Sequence, residues 1–208
     1  MTDGPTAAAV LLVAGPLVGA ACGFYPPMFR VWSVSRDEHL ALVRAHPLAW
    51  ALINAGFTVA TVVTAAGLAV LAGTVDADDG PKAVLAGSAV AYAIAGALWC
   101  AVLAIRTRTT PALADMVAAG TPTEPAETLL GVTTGGLFAA FILITGAALV
   151  ALGITLVATG GVAAPVAWLA TLVAALATGG YLAFGDMLPA VLYLPTMLIG
   201  LALLLGWS

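Results

Sequence analysis

The stretch LLGVTTGGLFAAFILITGAALVALGITLVATGGVAAPVAWLATLVAALATGGYLAFG, residues 129–185, contains no charged side chain. An α-helix rises 1.5 Å per residue, so about 20 apolar residues cross a hydrocarbon core about 30 Å thick. The stretch is therefore too long for a single membrane crossing. Thr159-Gly160-Gly161, followed by Pro165, is the natural break. It predicts one span over 131–158 and another over 163–184.

The whole chain, like this stretch, is rich in hydrophobic residues and poor in charged ones. Of its 208 residues, 62% are hydrophobic and 8% are charged, whereas an ordinary soluble domain has about 25% charged residues. A soluble globule of this composition would lack the polar side chains needed to cover its surface. A soluble enzyme, a nucleic-acid binder and a disordered tail are therefore excluded. The net charge of −4 also provides no basic surface for nucleic acid.

Further charge-free windows of spanning length occur on both sides of residues 129–185. Backbone groups in lipid must be paired internally, which favours helices for all of these windows. We therefore predict an all-α, polytopic transmembrane bundle that forms a single integral membrane domain over 1–208. Its six spans are expected at 6–25, 48–73, 83–105, 131–158, 163–184 and 187–207.

Basic residues are distributed unevenly between the connections. Arg30, Arg36 and Arg44 follow the first span, and Arg106 and Arg108 follow the third, whereas the connection after the second span holds three Asp and one Lys. The positive-inside rule then places the first and third connections in the cytoplasm. With six crossings of the cell (inner) membrane, both termini are expected outside.

The two long cytoplasmic connections are each predicted to contain a short interfacial helix. In 26–47, Ser35 is a candidate N-cap with Glu38 three residues later, the spacing of a capping box. In 106–128, Thr110-Pro111 suits a helix start and Gly120 suits the residue after a helix end. Leucine and valine stripes in both segments favour helices that lie at the membrane surface.

Small residues recur every four positions in most of the spans. Close backbone approach at such residues helps to drive helix association in lipid, and Gly15, Gly19 and Gly23 form a double GxxxG pattern in the first span. The rows predict a compact bundle in the lipid bilayer, and they leave open a membrane-protein partner or a homo-oligomer. Similar rows lie at Ala89, Ala93, Ala97 and Ala101, at Gly131, Gly135 and Ala139, and at Ala163, Ala167, Thr171, Ala175 and Gly179.

Two prolines lie inside predicted spans. Pro16 in the first span and Pro195 in the sixth each remove a backbone hydrogen bond and can kink their helix. Pro189 is expected in the first turn of the sixth span, where its missing N–H has no consequence.

Asn54, Thr58 and Thr61 form a polar face within the second span. Their spacing of four and three residues aligns them along one side of a helix. They could line a pocket for a solute or a lipid headgroup, or they could serve only to hold helices together by hydrogen bonds. The sequence leaves both interpretations open.

Asp186 is the acidic residue between the fifth and sixth spans. A carboxylate at membrane depth can carry protons or cations. It can also cap the following helix, because its oxygens accept hydrogen bonds from unpaired N–H groups at a helix start. Asp186 is therefore a candidate proton or cap site.

The histidines and cysteines give no metal or cofactor signature. His39 and His46 lie in a connection rather than inside the bundle, and Cys22 and Cys100 lie in separate apolar stretches as expected free thiols. No metal and no cofactor are therefore expected. No serine or cysteine nucleophile lies in a familiar catalytic motif, so no catalytic residue is assigned.

Three classes of function remain. The first is a non-enzymatic structural, assembly or regulatory membrane component, favoured because close-packing rows are abundant and no catalytic set is recognisable. The alternative is a small transporter or channel for a small solute or a proton. It is supported by the polar face of Asn54, Thr58 and Thr61, by Asp186 and by the prolines that can kink their helices. A second alternative is an enzyme acting on lipid at the cytoplasmic face. Its candidate residues near the headgroups are His39, His46, Glu38 and Arg44.

Overall fold

The computed structural model describes residues 4–207 and folds this range into helices and turns, without a strand. Most of the helices are antiparallel to their sequence neighbours and pack as a bundle in which α1 contacts α3 and α7, and α5 lies between α4 and α6. The seven α-helices are α1 (Gly4–Gly23), α2 (Arg36–Ala45), α3 (Pro47–Thr74), α4 (Asp79–Ala118), α5 (Glu124–Thr159), α6 (Ala164–Phe184) and α7 (Tyr193–Leu204).

Five of these helices, α1, α3, α4, α5 and α6, are long and apolar enough to cross a membrane. Many large apolar side chains, such as Leu129, Val132, Leu176 and Leu182, lie on the outside of the bundle. An outer surface of this kind is suited to lipid rather than to water. The helices therefore fit a multi-pass transmembrane protein. The two ends of the chain, for which we predict a position outside the cell, are not among the described residues.

Several predicted helix boundaries are confirmed. Ser35 is the N-cap of α2, and its Oγ accepts a hydrogen bond from the Glu38 backbone N–H at 3.4 Å. Gly160 ends α5 in the left-handed conformation with φ of 67°, and Gly120 follows α4 with φ of 69°. Both glycines adopt a backbone conformation that a side chain would disfavour, which is why the chain turns there.

The prediction of a separate interfacial helix that begins at Thr110-Pro111 is wrong. Pro111 lies inside α4, which continues without interruption from the third span to Ala118. A proline within a helix removes one backbone hydrogen bond. Here Leu113 and Ala114 pack against Leu40 of α2, so the buried contact stabilises the continuation of the helix.

The α-helix of the sixth predicted span begins later in the chain than residue 187, where the sequence predicts its start. Pro189 starts a short 3-10 turn over Pro189–Leu192, and Leu188 before it is extended, because a residue preceding proline avoids the helical conformation. The α-helix therefore begins at Tyr193. Pro195 lies in the first turn of α7, where it breaks no hydrogen bond, so the expected kink in mid-span is wrong.

Glycines form the tightest contacts between helices, often opposite a threonine. A Cβ added at Gly15 of α1 would clash with Thr64 of α3 and would lie 2.9 Å from the Ala60 carbonyl oxygen. In the α5–α6 interface two glycine positions repeat this arrangement seven residues apart. The pairs are Gly146 with Thr178 and Gly153 with Thr171.

The predicted rows of small residues contribute unequally to this packing. A Cβ at Gly19 or Gly23 would meet its nearest neighbour at 3.5 or 3.8 Å, an ordinary contact distance. The row in α4 faces outward from Ala93 onward, and Gly131 and Gly135 have open space beside them. The row in α6 does face a neighbouring helix, because Ala167 and Thr171 are buried against Gly153 of α5. Periodicity therefore found the packed face in α6 and at Gly15 of α1, but not along most of the row in α4 or at the start of α5.

Candidate functional site

The polar face of α3 is buried but makes most of its hydrogen bonds within its own helix. Asn54 Nδ2 donates to the Trp50 carbonyl oxygen at 2.7 Å, and Thr58 Oγ1 donates to the Asn54 carbonyl oxygen at 3.0 Å. Thr61 Oγ1 similarly contacts the Phe57 carbonyl oxygen at 2.8 Å. Such bonds satisfy the side chains without a solute or a second helix.

One residue of this face also reaches another helix. The hydroxyl oxygens of Thr61 and Tyr193 lie 2.7 Å apart, and both side chains are buried. Tyr193 is the first residue of α7, whereas Thr61 lies near the middle of α3. The bond therefore fixes the start of α7 at the middle of the bundle. A tyrosine far from the membrane surface was the available sequence signal for this contact, because a buried phenol needs a partner.

Further polar side chains surround this bond and, together with it, form what we name the Thr61–Tyr193 cluster. Tyr92 and Cys100 of α4 lie close to Tyr193, as does the indole of Trp99. Trp99 stacks on Phe141 of α5 with ring centroids 5.3 Å apart, and its Nε1 has no hydrogen-bond partner among the described residues. The cluster is thus a group of polar side-chain atoms within the bundle that is surrounded by aromatic rings. Its members are Thr61, Tyr92, Trp99, Cys100 and Tyr193.

Asp186 lies apart from the α3 polar face. It is exposed in the connection after α6, and its Oδ1 accepts a hydrogen bond from the Met187 backbone N–H at 2.8 Å. The groove that it lines, with neighbours such as Phe184 and Val191, contains no residue of α3. The expected helix cap is not formed, because the following 3-10 turn begins at Pro189 with Leu188 as its N-cap.

The end of the bundle formed by α2, the start of α3 and the end of α4 carries most of the charges, and we name it the α2 end. Three of its arginines form ion pairs with carboxylates, two of which connect α2 to α4 and α5. These are contacts between side chains that are largely exposed, so each adds little stability on its own. The pairs are Arg30 with Glu38, Arg36 with Asp37 and Glu127, and Arg44 with Asp115.

Arg106 and the exposed Arg108 take no part in these ion pairs, and of the two Arg106 is the one that is partly buried. Its guanidinium carbon lies 5.2 Å from the ring centroid of Trp50, a cation–π arrangement. Trp50 Nε1 in turn donates to the Arg106 carbonyl oxygen at 3.2 Å. Within residues 4–207, the Arg106 side chain has no hydrogen-bonding or carboxylate partner. It is half-buried beside a fully buried tryptophan.

His39 packs against Trp50, the residue that also contacts Arg106. Its ring meets Trp50 edge-on at 5.4 Å, and its Nδ1 lies 3.1 Å from the Val31 carbonyl oxygen. Burial lowers the pKa of His39; the hydrogen bond to Val31 opposes this shift, and the charge of Arg106 adds to it. His46 is exposed at the junction of α2 and α3, so the two histidines do not form a common site.

The free cysteines and acidic side chains suggest no metal site in the part of the chain that is described. No group of three histidine, cysteine or acidic side chains lies close enough to hold a metal ion within residues 4–207. Cys22 faces Gly56 across the α1–α3 interface, and Cys100 lies beside Thr58.

No protein-family model, curated protein or solved structure matches this chain. Three features of residues 4–207 therefore bear on its role. These are the α3 polar face with its bond to Tyr193, the unpartnered Trp99 Nε1 beside it, and the uncompensated Arg106 at the α2 end.

Proposed function

We propose that the protein is a six-span component of the cell membrane with a structural, assembly or regulatory role, and that it does not conduct a solute through its core. The observation that carries this proposal is the state of the α3 polar face. Asn54, Thr58 and Thr61 direct their hydrogen bonds to α3 itself and to Tyr193. A transport path needs polar groups that are free to exchange partners with a solute.

The position of α7 supports a sixth crossing. Trp207 accepts a hydrogen bond from the Ala163 backbone N–H at 2.6 Å, so the chain beyond α7 returns to the end at which α6 begins. With 12 residues, α7 is about 18 Å long and covers part of a hydrocarbon core about 30 Å thick. The 3-10 turn over Pro189–Leu192 adds to this length and packs against α1, α5 and α6. Non-helical backbone is tolerated at this depth where protein covers it.

Charge and helix pattern support the orientation. All five arginines lie at the α2 end or in the segments that join it, whereas Lys82 lies at the opposite end. The positive-inside rule then makes the α2 end cytoplasmic. In α2 the buried side chains are Leu40 and Val43, and its exposed side is charged, which suits a helix lying along the membrane surface.

Liposomes containing the purified protein test this proposal without knowledge of a solute. We expect osmotic swelling rates in a panel of small neutral solutes and salts, and proton leak reported by an internal pH dye, to equal those of protein-free liposomes. Faster swelling or proton leak that Asn54→Ala abolishes would contradict the proposal. Asp115→Asn, at an exposed ion pair, is the matched control.

A second candidate function, binding or passage of a small hydrogen-bonding solute, is favoured by one observation. Trp99 Nε1 and Thr145 Oγ1 are buried and have no hydrogen-bond partner within residues 4–207. A buried donor without a partner is costly, so a bound polar molecule would stabilise this region. If this candidate is correct, Trp99→Phe and Thr145→Val abolish any measured flux, whereas the structural role predicts that neither changes it.

A further inference from the structure

Arg106 carries a charge for which the described residues supply no counter-ion. Arg30, Arg36 and Arg44 are paired with carboxylates, and Arg108, which is not, is exposed. Arg106 is held in place on two sides, because its backbone accepts a hydrogen bond from Trp50 and its guanidinium lies over the Trp50 ring. A positioned, partly desolvated cation favours an anion as its partner.

The chemistry of the site matches a phosphate group. A guanidinium offers five N–H donors in a planar fork that fits phosphate oxygens two at a time. The contact with the Trp50 ring uses none of the guanidinium N–H donors in a hydrogen bond, and among residues 4–207 no other group accepts from them. The first turn of α3 contains Trp50 and begins at Pro47 without a side-chain cap, so its unpaired N–H groups add to the positive potential.

The depth of Arg106 corresponds to the level of lipid phosphates. Lys82 and Arg106 lie about 36 Å apart along α4 at 1.5 Å per residue. This distance exceeds a hydrocarbon core of about 30 Å and is less than the full bilayer of about 40–45 Å. Both basic residues therefore reach the headgroup regions when α4 crosses the membrane.

We infer that Arg106, held by Trp50 beside the first turn of α3, binds the phosphate group of an anionic molecule. The inference depends on the proposed membrane orientation only if the phosphate group belongs to a lipid headgroup. A phospholipid headgroup and free phosphate share the chemistry that the site recognises. The experiment therefore contains an arm for each source.

Thermal unfolding of the full chain in a neutral detergent, followed by tryptophan fluorescence, provides the test. We expect phosphatidylglycerol to raise Tm in a saturable manner, and phosphatidylcholine to raise it less. Arg106→Gln is expected to weaken the apparent affinity at least about tenfold, because charge-assisted hydrogen bonds are lost. Arg108→Gln removes the same charge from an exposed neighbour and is expected to retain the shift.

Inorganic phosphate at matched phosphorus concentration distinguishes the sources. An Arg106-dependent shift with phosphate alone identifies a soluble anion as sufficient, whereas a shift with the lipid only identifies a headgroup site. The inference is overturned if Arg106→Gln and the wild type respond equally, or if Arg108→Gln loses the shift to the same extent. If Arg106→Gln does not fold, Arg106→Lys replaces it. Lysine keeps the charge without the fork, so a several-fold loss is expected and unchanged affinity overturns the inference.

Discussion

Replacing Gly15 by alanine is expected to separate α1 from α3. The added Cβ would clash with Thr64 Oγ1 and would lie 2.9 Å from the Ala60 carbonyl oxygen and 3.0 Å from the Thr64 backbone nitrogen. Non-bonded heavy atoms prefer about 3.5–4.0 Å. The Thr64 hydroxyl cannot rotate away without losing its 2.8 Å hydrogen bond to the Ala60 carbonyl. The helices themselves must therefore move.

The magnitude follows from two opposing effects. Overpacking a tight interface costs about 1–3 kcal/mol, and a wall made of backbone favours the upper part of this range. Alanine in place of glycine gains about 0.8–1 kcal/mol of helix propensity. The free energy of unfolding of Gly15→Ala is therefore expected to fall by about 1–2 kcal/mol, which is the overpacking cost less the gain in helix propensity.

The assay is equilibrium unfolding in mixed detergent micelles, with Gly135→Ala as the control. Gly135 lies within α5 and a Cβ there meets no atom within 4 Å, so only the propensity gain remains. The control is expected to be unchanged or stabilised by up to about 1 kcal/mol. Equal stability of Gly15→Ala and the wild type, or equal shifts in the two variants, would refute the reasoning.

Three other outcomes are expected. Gly23→Ala changes the free energy of unfolding by less than about 0.5 kcal/mol, because its nearest contact is ordinary; a loss like that of Gly15→Ala would show that the whole GxxxG row is packed. A double-mutant cycle of Thr61→Val and Tyr193→Phe gives a coupling energy of about 0.6 kcal/mol, and zero coupling would contradict their bond. Stability decreases as the pH falls below about 6.5, and His39→Gln removes part of this decrease.

The sign of the pH effect follows from the lowered pKa of His39. The unfolded chain takes up a proton near the ordinary histidine pKa of about 6.5, whereas the buried ring resists protonation. The contribution of His39 to stability is therefore present above that pH and is lost as the pH falls toward the folded pKa. A slope that is the same in wild type and His39→Gln would contradict the burial of this ring.

Sequence reasoning located the long helices because the absence of charge over about 20 residues has a single physical explanation in lipid. It also located turns where chemistry is local, as at Gly160, Gly120 and the Ser35 cap. It misplaced the start of α7 because hydropathy is insensitive to the backbone restriction that Pro189 imposes on Leu188.

Contacts between helices could not be read in the same way. Gly153 accommodates Thr171 and Gly96 accommodates Thr61, but the sequence contains many glycines and threonines and no signal that pairs them. The arrangement of Arg106 and Trp50 likewise depends on the register of α3 against α4, which tertiary packing decides. The polar residues of α3 and Tyr193 were each visible in the sequence, whereas the pairing of Thr61 with Tyr193 depends on tertiary packing.

Labelling of single cysteines in intact cells tests the central claim, a six-span bundle with a cytoplasmic α2 end, most directly. In a background with Cys22→Ala and Cys100→Ala, a membrane-impermeant thiol reagent is expected to label D78C and W207C from outside. S33C and D186C are expected to react only after the cells are permeabilised. Labelling of W207C only after permeabilisation, together with D186C, would contradict the sixth crossing, and labelling of S33C in intact cells would contradict the orientation.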